Sequence, residues 1–256
     1  MTMSTDPTER FSSRVENYIK YRPNYPQAVI DCLRDRCGLS SKSAVADVGS
    51  GTGIFSQLLT STAAQVYGVE PNRDMRDAAV RLLRGQSNFI SVDGTSEATT
   101  LPDHSVDIIT AAQAFHWFDR VAARREFVRI LKPGGWVMLI WNDRRTDSTP
   151  FLRDYERLLQ TYADDYTQVN HREISDDIIA AFYAPGTFTA MRAFIAQVFD
   201  YTGAEGRLMS SSYVPDAGRP NHAPMLQEMH RIFDLHQVNG QVAFEYDTLI
   251  YVGQLP

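Results

Sequence analysis

The sequence predicts an α/β fold in which a doubly wound, mostly parallel sheet is covered by helices on both faces. From Ser43 to Asn142, apolar segments of strand length alternate with segments of helix length. That alternation requires crossover connections, so the strands should run parallel. The runs "VDIIT" and "VMLIW" are apolar at nearly every position, which is typical of strands buried on both faces. The glycine-rich turn "GSGTG" joins the first strand to a helix.

Five predicted strands lie in the first part of the chain, and capping residues mark the helices between them. Asn24, Asn72 and Asp119 are placed to cap helices, and Gly38 and Gly85 to end them. In chain order the predicted strands are "SAVADVG", "AQVYGVEP", "NFISVDG", "SVDIITAAQAF" and "KPGGWVMLIWN".

The strand–helix alternation stops after Asn142. Two helices are predicted, over "TPFLRDYERLLQTYADDY" and over "SDDIIAAFYAPG", the second capped by Ser175. Phe188–Phe199 is predicted as a strand because it lies between a Pro-Gly turn and a Thr-Gly turn. A helix that ends at Gly240 and an alternating strand, "QVAFEYDTLIYVGQL", complete the pattern. The relative direction of the last two strands is not fixed, because a helix joins them.

No clear domain boundary interrupts the chain, so residues 1–256 are predicted to form one domain. Two parts of it lie outside the alternating pattern: an N-terminal helical cap at about 7–38 and a helical insertion at about 149–186. The insertion is rich in aromatic and charged residues and is expected to cover one face as a lid. It could equally form a dimer surface, so a monomer and a homodimer both remain open.

The charge pattern does not favour a nucleic-acid partner. The net charge is −6, and the densest basic cluster, Arg120–Arg129, also contains Glu126 and is interpreted as the solvated face of a helix. No stretch has the length and hydropathy of a membrane span or of a signal peptide. Cys32 and Cys37 are poorly spaced for a disulfide within one helix, which favours the reducing cytoplasm. The histidines and cysteines show no spacing typical of a metal site.

The stretch "VADVGSGTG" predicts a ligand site at the carboxyl end of the first strand. Gly49, Gly51 and Gly53 leave no Cβ between the backbone and a ligand. Gly53 is followed by Ile54 and not by Lys, which excludes a P-loop, and the dinucleotide pattern G-x-G-x-x-G is also absent. Asp47 would repel a pyrophosphate but could accept a hydrogen bond from an ammonium group.

Glu70 ends the second predicted strand, close to the spacing at which an acid binds the hydroxyls of a ribose. Together with the loop it predicts a nucleoside ligand with a cationic tail. An oxidoreductase that uses a nucleotide is the alternative in another enzyme class, and the missing third glycine argues against it.

With these motifs the chain resembles class I S-adenosylmethionine-dependent methyltransferases from about Arg10 to Leu255. The resemblance rests on "VADVGSGTG", "VYGVEPNRDM", "SVDGTSEATTLPDHSVDIITAAQAFHWFD" and "ILKPGGWVMLIWND", taken in that order. The chain looks like the type 11 branch, which includes ubiquinone/menaquinone-type and trans-aconitate-type enzymes. "AQAFHWFD" and "YIKYRPNYP" look most like the latter. The resemblance implies a Rossmann-like sheet of seven strands with a C-terminal antiparallel strand.

The resemblance also implies a cofactor, S-adenosyl-L-methionine, a product, S-adenosyl-L-homocysteine, and a small-molecule methyl acceptor. A protein that binds the cofactor without catalysis remains an alternative. Many relatives carry an aspartate where Thr95 stands, so either Thr95 or Asp93 would accept from the adenine amino group. The implied cofactor contacts are Asp47, Gly49, Gly51, Gly53 and Gln113 at the methionine part, Arg22 at its carboxylate, Glu70 at the ribose, and Pro71, Met75, Gly94 and Thr95 at the adenine.

His116 and Tyr18 are the candidate catalytic residues. His116 follows the fourth strand and could accept a proton from a hydroxyl or amine, or could simply hydrogen-bond a neighbour. The acceptor atom, a carboxylate, a hydroxyl or a ring carbon, stays open. A carboxylate acceptor would not need a base, and Arg22, Arg144 or Arg145 would instead bind it as a clamp. The alternative for Arg144 and Arg145 is that they are surface charges. The aromatic candidates for the cationic sulfur are Phe115, Trp117, Tyr18 and Tyr21, with Phe115 and Trp117 alternatively part of the core.

Overall fold

Seven strands form one sheet at the centre of the computed structural model, which describes residues 20–164, 166 and 174–256. The strand order is β3-β2-β1-β4-β5-β7-β6, and every neighbouring pair is parallel except the two pairs that β7 makes. The strands are β1 (Ala44–Val48), β2 (Gln65–Val69), β3 (Phe89–Val92), β4 (Val106–Ala112), β5 (Leu131–Arg144), β6 (Phe188–Phe199) and β7 (Val242–Gln254).

Helices connect the strands, and a short 3-10 helix, Phe115–Trp117, follows β4. Between residues 27 and 236 of the described part, the helices are α1 (Gln27–Cys37), α2 (Ile54–Thr60), α3 (Arg73–Leu82), α4 (Arg120–Ile130), α5 (Pro150–Tyr162), α6 (Asp176–Tyr183), α7 (Tyr201–Met209) and α8 (His222–His236). The predicted doubly wound, mostly parallel sheet and its antiparallel C-terminal strand are confirmed.

Apolar residues of the central strands point alternately to two different cores. Val48 and Leu139 pack with α4 and α6 on one face of the sheet, whereas Val45 and Met138 pack with α1 and α2 on the other. This alternation explains why β1, β4 and β5 are apolar at consecutive positions, since each strand fills both layers.

A third core lies beyond the carboxyl end of β5. In the antiparallel register Arg144, the last residue of β5, pairs with Tyr246, so the first residues of β7 extend past the parallel strands. α5, α7 and α8 pack on this extension around Phe244. The insertion predicted at about 149–186 therefore contributes α5 to this helical layer and α6 to the core shared with α4.

Several local predictions can be compared with the structure. Asn72, Asp119 and Ser175 cap their helices through their side chains, and Phe188–Phe199 is a strand, as predicted. Asn24 does not cap α1, because its side chain accepts from the backbone amide of the next residue and the helix begins at Gln27.

Two predictions in the second half are wrong. The predicted Thr-Gly turn lies within α7, whose N-cap Asp200 accepts a hydrogen bond from the backbone amide of Gly203 at 2.8 Å. α8 ends at His236 and not at Gly240, because Asn239 and Gly240 both adopt positive φ and form a turn. None of the helices in residues 20–164 and 174–256 is both long and apolar enough to cross a bilayer.

Candidate active site

A cavity of about 380 Å³ opens at the carboxyl ends of β1, β2, β4 and β5. This is the edge of a parallel sheet at which ligands bind in doubly wound folds, and the volume is within the range of small-molecule sites. Residues implied as cofactor contacts line one part of the cavity: Arg22, Asp47, Gly49, Gly51, Glu70, Pro71, Met75, Thr95 and Gln113.

The three loop glycines have different surroundings. A Cβ on Gly51 would meet no atom within 4 Å, so this position faces open space, and its φ of +54° favours glycine. A Cβ on Gly49 would lie 2.5 Å from the Cβ of Ala114. A Cβ on Gly53 would press on Ala79 of α3, and Gly53 does not line the cavity. Gly51 therefore leaves room for a ligand, whereas Gly49 and Gly53 allow close packing.

Glu70 fixes the glycine loop beside the end of β2. Its Oε2 accepts a hydrogen bond from the backbone amide of Gly51 at 3.0 Å, and its Oε1 accepts one from the amide of Asn72 at 2.9 Å. Burial raises the pKa of Glu70, although these two amides and Arg76 partly oppose the rise. Each carboxylate oxygen keeps a further lone pair with which it can accept a hydroxyl.

Asp47 lies beneath the loop with a fully buried side chain. It accepts hydrogen bonds from the hydroxyls of Ser56 at 2.6 Å and Thr110 at 3.0 Å, the second across the β1–β4 pair. Burial raises its pKa to about 6, against the opposing effect of these hydroxyls. The carboxylate therefore ties β1 to α2 and β4.

Near Met75 the cavity is lined by a turn that follows β3. The hydroxyl of Thr95 accepts hydrogen bonds from the amides of Glu97 and Ala98, so it stabilises this turn. Asp93 is exposed and ion-paired with Arg76, and it does not line the cavity. Gly94 does not line the cavity either. It packs against the backbone of Thr99, which a Cβ at this position would contact. Ser96 and Glu97 line this part of the cavity and were not singled out from the sequence.

Gln113 and His116 lie where β4 ends. Gln113 adopts a φ of +58°, which is unusual for a residue with a side chain, and its Nε2 donates to the carbonyl oxygen of Asn142 at 3.2 Å. His116 and Trp117 line the cavity from the 3-10 helix, with their ring centroids 4.8 Å apart. Phe115 is fully buried in the core against Phe182, so the core alternative is confirmed for it.

The remaining aromatic candidates lie elsewhere. Tyr21 is buried against Phe199 and does not line the cavity. Tyr18 lies outside the described residues.

The second part of the cavity adjoins the α5/α7/α8 layer. Arg144 lines it and is only 8% exposed, so its interpretation as a surface charge is wrong. Its guanidinium forms an ion pair with Glu156 and donates to the hydroxyl of Tyr166 at 3.0 Å. Arg145, in contrast, points away and pairs with Asp247 at 2.8 Å. Further residues that sequence reasoning missed complete this part: Asn142, Tyr166, Arg207, Ser212, Tyr213 and Tyr246.

Arg22 bridges the N-terminal segment and the helical layer. Its Nη2 donates to the carbonyl oxygen of Ser210 at 3.1 Å, and it lines the cavity. Among the described residues, no group of three or more His, Cys, Asp or Glu side chains is placed to hold a metal ion. Both cysteines are free thiols, and burial raises the pKa of Cys37 to about 12.

Comparison with known proteins relates part of the chain to methyltransferases. The sequence model of a methyltransferase domain matches residues 46–139. The chain is 32% identical over 159 residues to an uncharacterized methyltransferase-like protein of Schizosaccharomyces pombe, covering 60% of this chain and 59% of that protein. It is 36% identical over 139 residues to an uncharacterized methyltransferase of Mycobacterium tuberculosis, covering 54% of each. The matches therefore span somewhat more than half the length of these relatives.

The fold has relatives among solved structures. The chain superimposes on a candidate type II methyltransferase from Anaeromyxobacter dehalogenans with a TM-score of 0.67 and 22% identity. That match covers 92% of this chain and 98% of the other, and at this identity it supports the fold alone.

Proposed function

Because the chain belongs to the class I S-adenosylmethionine-dependent methyltransferases, we propose that it transfers a methyl group to a small-molecule acceptor. The observation that carries this proposal is the hydrogen bond between Glu70 and the amide of Gly51. It places a half-buried carboxylate directly beside backbone that has no side chain, an arrangement suited to a ribose and its attached chain. The cofactor of the class is S-adenosyl-L-methionine.

The residues of this cavity fit that cofactor. Glu70 would accept hydrogen bonds from the ribose hydroxyls, Met75 and Pro71 would pack on the adenine, and Gly51 would leave room for the sugar and the methionine chain. Asp47 would mainly hold the glycine loop in place and would contribute less by direct contact with the cofactor, since its oxygens already accept hydrogen bonds from Ser56 and Thr110. When bound, the cofactor supplies an electrophilic methyl group on a positively charged sulfur.

Orientation and exclusion of water are the main tasks left to the protein in such a transfer. Gln113 and His116 line the cavity at the end of β4, between the glycine loop and the α5/α7/α8 layer. His116 would accept a proton from a hydroxyl or amine acceptor, whereas a carboxylate acceptor would need no base. The aromatic face of Trp117 would stabilise the positive sulfur.

The helical layer would close the acceptor side of the cavity. Its apolar core and its aromatic cavity residues Tyr166 and Tyr213 form a wall suited to a small organic molecule. We keep the cytoplasm as the proposed location, on the basis of the two free thiols.

Calorimetric titration tests this proposal. S-adenosyl-L-homocysteine should bind the protein at one site with micromolar or tighter affinity, and NAD⁺ at the same concentrations should not. A screen of small acids, phenols and quinone precursors, with release of S-adenosyl-L-homocysteine as the readout, should then identify an acceptor. Preference for NAD⁺ would refute the assignment, and cofactor binding with no turnover on any acceptor would favour a protein that only binds the cofactor.

A further inference from the structure

Arg207 is a buried cation in the wall of the cavity. The side chain, on α7, is 4% exposed and lines the cavity together with Tyr246 and Ser212. Its Nε donates to the hydroxyl of Tyr246 at 2.8 Å, and its Nη1 donates to the hydroxyl of Ser211 at 3.1 Å. These bonds hold the guanidinium in a fixed orientation.

The guanidinium has no negative partner in the described part of the chain. No Asp or Glu oxygen there lies within ion-pair distance of it, and Nη2 donates no hydrogen bond to a described residue. Arg144 provides the contrast, because this neighbouring buried cation has its own carboxylate, Glu156. A buried charge without a partner is costly, and an arginine fork is suited to carboxylates and phosphates.

The surroundings of Arg207 are also electropositive. Burial by itself would raise the pKa of Tyr213, yet the charges of Arg207, Arg144 and Arg22, together with a hydrogen bond with Ser211, lower it. Tyr213 lines the same cavity, so the positive potential extends into the space that a ligand would occupy. Such a field favours a negatively charged group in this part of the cavity.

Arg207 lies several strands along the sheet from the glycine loop and from Glu70. Its partner Tyr246 lies on β7, three strands from β1 and four from β2, the strand that Glu70 follows. At about 4.8 Å per strand these spacings correspond to roughly 14 Å and roughly 19 Å. An anion at Arg207 would therefore lie on the acceptor side of the cavity.

We propose that Arg207 binds an anionic group of the methyl acceptor, a carboxylate or a phosphate, and so determines which end of the acceptor faces the cofactor. This inference rests on the proposed function, because it assigns the α7 side of the cavity to the acceptor. The anionic group is a recognition element and need not be the atom that is methylated.

Matched pairs of ligands test the proposal on protein saturated with S-adenosyl-L-homocysteine. Each pair differs in charge: benzoate and benzamide, hexanoate and hexanamide, phenyl phosphate and phenol. Wild-type protein should bind at least one anion tenfold or more tightly than its neutral partner, and the best pair distinguishes a carboxylate from a phosphate. Arg207→Gln should abolish this preference, whereas the surface variant Arg231→Gln should retain it.

The controls separate recognition from folding and from cofactor binding. Arg207→Lys keeps the positive charge, so this variant should fold. It loses the planar guanidinium, so its preference for the anion over the neutral ligand should fall at least fivefold. If Arg207→Gln does not fold, the result for Arg207→Lys decides the test. Both variants should bind S-adenosyl-L-homocysteine and 5′-methylthioadenosine, which lacks the amino-acid part, within twofold of wild type.

Three results would overturn the inference. The first is no charge preference in wild type, and the second is a preference that survives both Arg207 substitutions. The third is a selective loss of S-adenosyl-L-homocysteine relative to 5′-methylthioadenosine, which would assign Arg207 to the cofactor carboxylate. Failure of wild type to bind S-adenosyl-L-homocysteine at all would instead refute the proposed function.

Discussion

A single methyl group added to the glycine loop provides a direct test of the cofactor site. Gly51→Ala introduces a Cβ at a position where nothing lies within 4 Å, so the substitution creates no clash in the protein itself. The added atom would instead occupy the space assigned to the ligand. Gly38→Ala is a matched control, because Gly38 has a similar φ of +70°, equally open surroundings and a position at the end of α1 away from the cavity.

The expected magnitudes follow from these two environments. An L-residue with left-handed backbone costs about 1–2 kcal/mol, so both variants should lose about that much stability. Overpacking by one group typically costs about 1–3 kcal/mol, and in Gly51→Ala this cost should fall on the complex alone. Since about 1.4 kcal/mol corresponds to a tenfold change, the affinity for S-adenosyl-L-homocysteine should fall by about 5- to 150-fold.

Two measurements on each variant decide the question. Urea unfolding gives the stability, and calorimetry gives the affinity for S-adenosyl-L-homocysteine. We expect equal losses of stability but a loss of affinity in Gly51→Ala only. Wild-type affinity in Gly51→Ala, or the same loss of affinity in Gly38→Ala, would refute the assignment of this loop to the cofactor.

Three further substitutions test individual side chains. Glu70→Ala leaves the amides of Gly51 and Asn72 without their acceptor and should weaken S-adenosyl-L-homocysteine binding by about 1–3 kcal/mol in calorimetry; unchanged affinity would contradict the ribose contact. Burial raises the pKa of Asp47 to about 6 from 3.8, so its ionisation should cost stability progressively as the pH rises from about 4 to 6. Asp47→Asn should therefore gain up to about 3 kcal/mol over wild type in urea unfolding between pH 4 and pH 7, and a difference independent of pH would show that Asp47 is not the titrating group. His116→Gln should lower kcat about 10²- to 10⁴-fold with unchanged S-adenosyl-L-homocysteine affinity if His116 accepts the proton; an unaltered rate would make it structural.

The geometry of the proposed cofactor half could be predicted because its determinants are local in sequence. A strand, a glycine turn and a helix follow one another from Ala44 to Thr60, and Glu70 directly follows the next strand. In a parallel sheet these strand ends meet at one edge, so sequence order alone places the loop beside Glu70. The contact between Gly51 and Glu70 at 3.0 Å agrees with that expectation.

Residues at the margins of this half were harder to assign. A Cβ on Gly53 would press on Ala79 and one on Gly94 would press on the backbone of Thr99, and Gly53 also has a φ of +82°, so both glycines have local structural reasons. A glycine in a sequence motif does not tell which neighbouring residue a Cβ at that position would contact. In the same way, the hydroxyl of Thr95 stabilises its own turn by accepting a backbone hydrogen bond. Such local bonds are common for threonine, but the position of Thr95 in the motif does not reveal this one.

The proposed acceptor half could not be predicted because it depends on contacts distant in sequence. Arg144 is buried where the antiparallel register sets it opposite Tyr246 and where Glu156 of α5 pairs with it, and the sequence left the direction of the last strands open. Arg207 was missed together with its helix, because Gly203 resembled a turn residue. In the structure a Cβ on Gly203 would clash with the ring of Phe199, so that glycine allows α7 to pack closely against β6. From α7, Arg207 donates to Tyr246 on the neighbouring strand β7. The glycine that concealed the helix from sequence analysis therefore also helps to position Arg207 on the proposed acceptor side of the cavity.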